Sequence, residues 1–405
     1  MRKLQLLGKS IKHINSRRLD LLLFAIAVAL LVFFFVNRTY EEVNEPERVN
    51  ISISSQCVNL FGRDIIDALI QEFEEQNPEL RIQEISQEAA AIAGAGDGDG
   101  ADIIFFDDSE FSGLVSASAL ASLAPYNHTG TRTGQWALPL VTFMDVFIYN
   151  IDILTAANRD RPPKTRAEFL AVARAVAGSN AAQSRQAPVF AFALGLNPAD
   201  PLALRRDIYP WIWASGGEIH ADISDGKAAL SGAVTDTITF LGQLNREELL
   251  APGIFEKTGA QRLEEFAEGK IAMLTASARD IAFLRDNAHG ITFGITTLPV
   301  TAQGKTRLGL SSIYAGMSSA CTIPDEAWKF LAFFAGKSQI FAEALGAVPG
   351  SFPGVFAGEY IAQDPVYSKA WDIFEAADIV EYEPVQPLEE EINHLIREKL
   401  VEAFK

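Results

Sequence analysis

The chain has 405 residues, 48% of them hydrophobic, with 34 basic against 52 acidic side chains and a formal charge of −18. This is enough for about two domains with well-filled cores, and the acidity excludes nucleic acid and anionic lipid surfaces as partners. The two cysteines, Cys57 and Cys321, are too few for a disulfide framework, and neither has Cys or His at metal-ligand spacing.

Residues 1–18 are basic, carrying Arg2, Lys3, Lys9, Lys12, Arg17 and Arg18, and Leu21 to Val36 then runs without a polar side chain. With Leu19 and snorkelling arginines at its ends, residues 19–36 read as a transmembrane anchor. Glu41, Glu42, Glu45 and Glu47 make residues 37–48 an acidic stem. The first 38 residues hold seven of the basic side chains and one of the acidic ones, so the remainder carries 27 against 51, a net of −24. The basic flank places the N-terminus in the cytoplasm and the rest outside, in a periplasm or at the cell surface. Phe33-Phe34-Phe35-Val36-Asn37-Arg38 is bulky where a signal peptidase requires small residues, which favours a retained single-pass anchor over a cleaved signal.

Beyond the stem, Val49 to Ser55 alternates at period two and reads as a strand. Ile65, Ile66, Leu69, Ile70 and Phe73 form a helical stripe over Arg63 to Gln76, ended by Asn77-Pro78. Leu80 to Ile85 alternates again, and a glycine-rich turn from Gly94 to Asp102 leads into the apolar strand Ile103 to Phe106. Pro139 to Asn150 is a further strand, and Thr165 with Glu168 forms a capping box that opens a helix. Helices are expected near 201–214, 232–246, 260–268, 325–345 and 389–403, and strand–turn–strand over 269–276 and 291–299. Strands alternating with amphipathic helices indicate an α/β fold.

The chemical motifs fail one by one. Gly96 to Gly100 lacks the ligand run and distal Glu of a calcium loop, and Gly94-Ala-Gly96 lacks the last Gly of a dinucleotide fingerprint. No Gly-x-Ser-x-Gly elbow is present, and none of the five histidines pairs at metal spacing. Asp107-Asp108 reads as a helix cap or hydrogen-bond acceptor. No enzyme, metal or cofactor is therefore expected. Aromatic and polar side chains remain at strand and helix ends: Phe61, Asp108, Asp145, Tyr209, Trp211, Trp213, Arg279, Ser312 and Tyr314. Flat rings with fixed donors and acceptors suit an uncharged polar ligand such as a sugar. Core packing is the competing reading for every ring.

Six blocks in order, from Val49 to Phe356, resemble the family 1, maltose-binding-protein-like solute-binding proteins of ABC importers. They are Phe73-Glu-Glu-Gln-Asn-Pro78-Glu-Leu-Arg-Ile82; Gly94 to Ile104; Leu138-Pro139-Leu140 through Ile148-Tyr149-Asn150 to Pro162-Pro163-Lys164-Thr165; Ala214-Ser-Gly216-Gly217; Phe266-Ala-Glu-Gly269-Lys270-Ile-Ala272-Met273; and Ile323 to Leu331. The resemblance implies a type II periplasmic-binding-protein fold, two α/β lobes around an interlobe cleft. The crossing strands are expected near 141–144, 275–278 and 309–313. Lobe 1 would then be 49–141 plus 279–309, and lobe 2 would be 145–275 plus 314–405. It also implies a binding protein that closes on its solute and delivers it to a permease, with a sensor signalling to a membrane partner as the alternative. In that cleft Tyr209, Trp211, Trp213 and Tyr314 would stack on the solute, while Asp108, Asp145, Arg279 and Ser312 would hydrogen-bond it. Two departures stand out: the kept anchor, and Ala278-Arg279 where such proteins often place a tryptophan.

Overall fold

The computed structural model describes residues 26–32, 48–85, 100–126, 133–179, 188–219, 221–224, 227–302, 304–350, 365–380 and 389–405. The chain divides into two compact units. The smaller takes the chain up to Asn50 together with Glu74–Arg81; within it, Arg48 lies 3.9 Å from Glu74 and the Val49 amide donates to the Glu79 carbonyl at 2.9 Å. The larger unit takes Ile51–Phe73 and Ile82–Lys405.

Twelve strands form among the described residues: β1 Val49–Ser54, β2 Leu80–Ile85, β3 Ile103–Asp107, β4 Ala137–Asn150, β5 Phe190–Phe192, β6 Ala221–Ser224, β7 Lys227–Leu230, β8 Ile271–Ser277, β9 Phe293–Thr296, β10 Arg307–Met317, β11 Val348–Pro349 and β12 Asp378–Val380. The main sheet runs β2-β1-β3-β10-β4-β8-β5, with β9 and β11 also on β4 and β12 on β10, while β6 and β7 pair separately. β4 is its pivot. It is buried from Leu140 to Ile148, where every side chain but Thr142 and Asp145 is apolar. Ala137 to Met144 pairs antiparallel with β10, and Asp145 to Tyr149 pairs with β8. The change of partner falls between Met144 and Asp145.

The expected helices form. Arg63–Gln76 buries Ile66, Leu69 and Phe73. Thr165 caps Arg166–Ala177 by accepting from the Glu168 amide at 3.2 Å, while the Glu168 carboxylate turns instead to the Lys164 amide and Arg161. The strands expected over 269–276 and 291–299 form as β8 and β9, but a helix rather than a turn joins them, Ala278–Asn287, opened by a Ser277/Asp280 capping box. Asp108–Ser116 is also a helix, opening at the end of β3.

Packing around the pivot runs against the expected lobe boundaries. β10 passes from β12 across β4 to lie beside β3 at Ile313 to Met317, so the chain that follows it stays on the β3 side. There Phe330 packs on Phe73 at 5.0 Å, Phe334 on Phe105 at 5.8 Å, and Phe341 on Phe61 at 4.3 Å. Residues 314–345 therefore pack with the segment beginning at 49. Ile281, Leu284, Ile295 and Leu308 share a core with Met144, Val146, Phe266 and Ile373, so 279–308 packs with the β8 side. A third core gathers Phe147, Phe169, Phe192, Trp211 and the C-terminal helix residues Ile392, Ile396 and Leu400.

Of the expected anchor, only 26–32 lies within the described residues; it is helical, with Ile26, Leu30, Leu31 and Val32 exposed. No helix among the described residues is long and apolar enough to cross a membrane. The segment 1–18, most of the stem and the Gly94–Asp99 part of the turn lie outside the described residues. Both cysteines are free, and burial pushes each thiol up to about 12.

Candidate ligand-binding site

Where β4 changes partner, the ends of β3 and β8 and the middles of β4 and β10 meet the first turns of two helices around a cavity of about 490 Å³. Asp107 and Asp108 come from the end of β3, Phe143 and Asp145 from β4, Ser277 from β8, and Ser311 to Ile313 from β10. Gly259, Ala260 and Arg262 come from the helix Gly259–Ala267, and Arg279, Asp280 and Phe283 from the helix Ala278–Asn287. The helix Ala203–Asp207 adds Arg205 and Arg206.

Most of these side chains are held by partners distant in sequence. Asp145 accepts from Arg205 Nη1 at 3.0 and 3.3 Å, while Arg205 Nη2 donates to the Leu310 carbonyl at 2.8 Å. The guanidinium lies 4.7 Å from the Trp213 ring centre. A Cβ at Gly309 would overlap both the Trp213 ring and an Asp145 oxygen, so glycine is required for β10 to pass this close. Asp207 is fully buried; it accepts from the Gly195 amide at 3.0 Å and lies 3.2 Å from Arg206 and 3.1 Å from Arg262. Arg206 also pairs with Asp200 at 2.9 Å, and Asp200 accepts from the Gly259 amide at 3.1 Å. This relay fixes the start of the Gly259–Ala267 helix against the cavity.

Asp108 accepts the Ser312 amide at 2.9 Å and a hydrogen bond from the Tyr314 hydroxyl beneath it. The Ser312 hydroxyl lies 2.9 Å from Thr142 Oγ1. Burial pushes both the Asp108 and Asp145 carboxyls up to about 6, with Arg205 pulling each the other way. Burial lowers Arg262 to about 10 and raises the Tyr314 phenol well above its usual value. At mildly acidic pH the two carboxyls can both donate and accept hydrogen bonds, which suits hydroxyl partners. Among the described residues, no cluster of His, Cys, Asp and Glu is able to hold a metal.

Four sequence-selected residues thus share one cavity: Asp108, Asp145, Arg279 and Ser312. The stacking candidates do not join them. Tyr209, Trp211 and Trp213 lie in the helix Tyr209–Ala214, all six of whose residues are buried. An all-apolar helix has no wet face on which to present a ring. Trp211 packs against Phe169 at 5.3 Å, Phe192 at 5.5 Å and Phe147 at 6.0 Å, and the Tyr209 hydroxyl donates to Asn393. Tyr314 sits one layer below the wall, stacked on Phe111 at 5.1 Å and Phe106 at 5.7 Å. Phe61 is buried against Phe341. The rings that do reach the cavity are Phe143 and Phe283. Arg205, Arg206 and Arg262 were missed. The signal for Arg205 and Arg206 is a run of charges, Arg205-Arg206-Asp207, set between the apolar Leu202-Ala203-Leu204 and Ile208.

Residues 62–340 match the family model described as bacterial extracellular solute-binding protein. A comparison with curated protein sequences gives no significant match. Among solved structures, the cyclic α-maltosyl-1,6-maltose binding protein of Arthrobacter globiformis is similar with a TM-score of 0.68 at 16% identity, over 88% of this chain and 96% of that one. A putative oligosaccharide periplasmic-binding protein of Synechococcus sp. MITs9220 gives 0.67 at 16% identity, over 87% and 97%. The GacH receptor of Streptomyces glaucescens, solved unliganded and with acarbose, gives 0.65 at 16% identity, over 88% and 93%. At these identities the likeness is one of fold.

Proposed function

The chain belongs to the bacterial extracellular solute-binding protein family, and from that premise we propose that it captures a sugar or oligosaccharide outside the cytoplasmic membrane and delivers it to an ABC permease. The observation that carries this reading is the cavity of about 490 Å³ in which Asp108, Asp145, Arg279 and Ser312 converge. Its volume lies within the range of about 300–1,000 Å³ usual for small-molecule sites. Similar structures whose descriptions name oligosaccharide ligands support the choice of sugar. Asp108 and Asp145 hold hydroxyls, Phe143 and Phe283 cover C–H faces, and Ser312 orients the ligand.

In this reading one lobe comprises residues 49–143 with 312–350, and the other 145–310 with 365–405, following the ring and core contacts on either side of the β4 pivot. Closure bends β4, β8 and β10 near Asp145, Ser277 and Leu310. The closed form binds solute better than the open one, which is what makes it a signal to the permease. The apolar N-terminal segment tethers the chain to the membrane and raises its local concentration at the permease.

A thermal-shift screen of the purified chain against mono- and oligosaccharides, amino acids and polyamines tests the reading. A bound sugar raises the melting temperature with its concentration. Shifts given by amino acids or polyamines alone would overturn it.

A further inference from the structure

Resting on that reading of the cavity, we propose that the captured sugar is a sugar acid: a polyhydroxylated ligand with a single carboxylate, seated on Arg279. The argument is an accounting of the charges in the wall. Arg205 is paired with Asp145, Arg206 with Asp200 and Asp207, and Arg262 with Asp207. Asp280 is committed to the amide and hydroxyl of Ser277 at the helix start. Arg279 differs from the other three arginines. It is exposed on the cavity, it lies 5.8 Å from the Phe143 ring centre, and it has no ion pair among the described residues.

Its position sharpens the point. Arg279 sits in the first turn of the helix Ala278–Asn287, the positive end, where a cation is disfavoured and an anion favoured. A carboxylate across the planar guanidinium would take two parallel hydrogen bonds and relieve that unfavourable placement. The Phe143 ring beside it offers an apolar face to the adjoining sugar carbon. The remaining polar wall, Asp108 and Ser312, suits hydroxyls. Asp107 on the same side opposes a second negative charge on the ligand, as does the net −24 of the body. One carboxylate at one end and hydroxyls along the rest match this distribution.

The test is calorimetric titration of the full chain with matched pairs: glucose and glucuronate, galactose and galacturonate. The acid in at least one pair should bind about tenfold or more tighter than its neutral partner, and the preference should shrink as ionic strength rises. Arg279→Gln should abolish the preference, and Arg279→Lys should keep much of it. Neutral sugars binding as tightly as their acids, or a preference that survives in Arg279→Gln, would overturn the assignment to Arg279 and leave the carbohydrate reading standing. Binding of neither sugars nor sugar acids would overturn both.

Discussion

The ring-packed core beneath the helix Tyr209–Ala214 and the cavity beside it differ in what holds them together. Around Trp211 the contacts are aromatic edges meeting at 5.3–6.0 Å with water excluded on all sides. Around Asp145 they are charged groups joined in ion pairs, with Phe143 and Phe283 as the rings that line the wall among the described residues. A high density of large side chains in the sequence thus marks two different things. Rings on an element that is apolar all round fill a core. Charges placed inside apolar elements mark a wall that has to be neutralised locally.

The comparison can be broken from its core side first. Trp211→Ala should cost about 3–5 kcal/mol by denaturant unfolding and leave solute affinity of the folded fraction unchanged. Weakened binding without lost stability would place the ring in the site. On the cavity side, Arg205→Met leaves Asp145 buried without its partner and should cost about 3 kcal/mol by the same measurement, with solute affinity falling as well.

The pH dependence separates the cavity from the surface. Asp108 and Asp145 hold protons more tightly folded than unfolded, their carboxyls moving from 3.8 to about 6. Their effect is absent below pH 4. Stability falls as pH rises from about 4 to about 6 and then levels off, by on the order of 3 kcal/mol per group. Asp108→Asn should remove about half of that slope in unfolding curves taken across the window, leaving the part due to Asp145. Glu168 and Glu247 act in the opposite direction. Hydrogen bonds from Arg161 and Arg174 hold their carboxylates at about 2, so their contribution is present above about 4.5 and is lost on acidification below it. Both pairs are exposed to solvent. Glu168→Gln should therefore give the smallest shift in denaturation midpoint of the four, and a shift as large as that of Arg205→Met would erase the distinction between cavity and surface pairs.

Local patterns were legible in the sequence. The stripe over Arg63–Gln76, the cap at Thr165 and the helix Gly232–Arg246 need only nearby residues to be read. Asp108, Asp145, Arg279 and Ser312 could be picked out because each is polar at the end or in the middle of an apolar run. What could not be read depends on partners far along the chain. Arg205 meets Asp145 across 60 positions, and Asp108 meets Ser312 across 204. The crossing of β10 to the β3 side has no local signature, so the segments after Ile313 were expected to pack with the wrong partner. One miss was readable: Ser277-x-x-Asp280 is a capping box like the one at Thr165.

Trp213 touches both regions. Its indole packs into the ring core and carries Arg205, a cavity residue, 4.7 Å from its ring centre, with Gly309 of β10 against its far edge. Any ligand that changes the field of the Asp145–Arg205 pair, or bends β10 at Gly309, changes the surroundings of that chromophore. Its fluorescence emission should therefore shift on binding, giving an unlabelled optical readout of cavity occupancy, while Trp211 deeper in the same core stays constant as an internal reference.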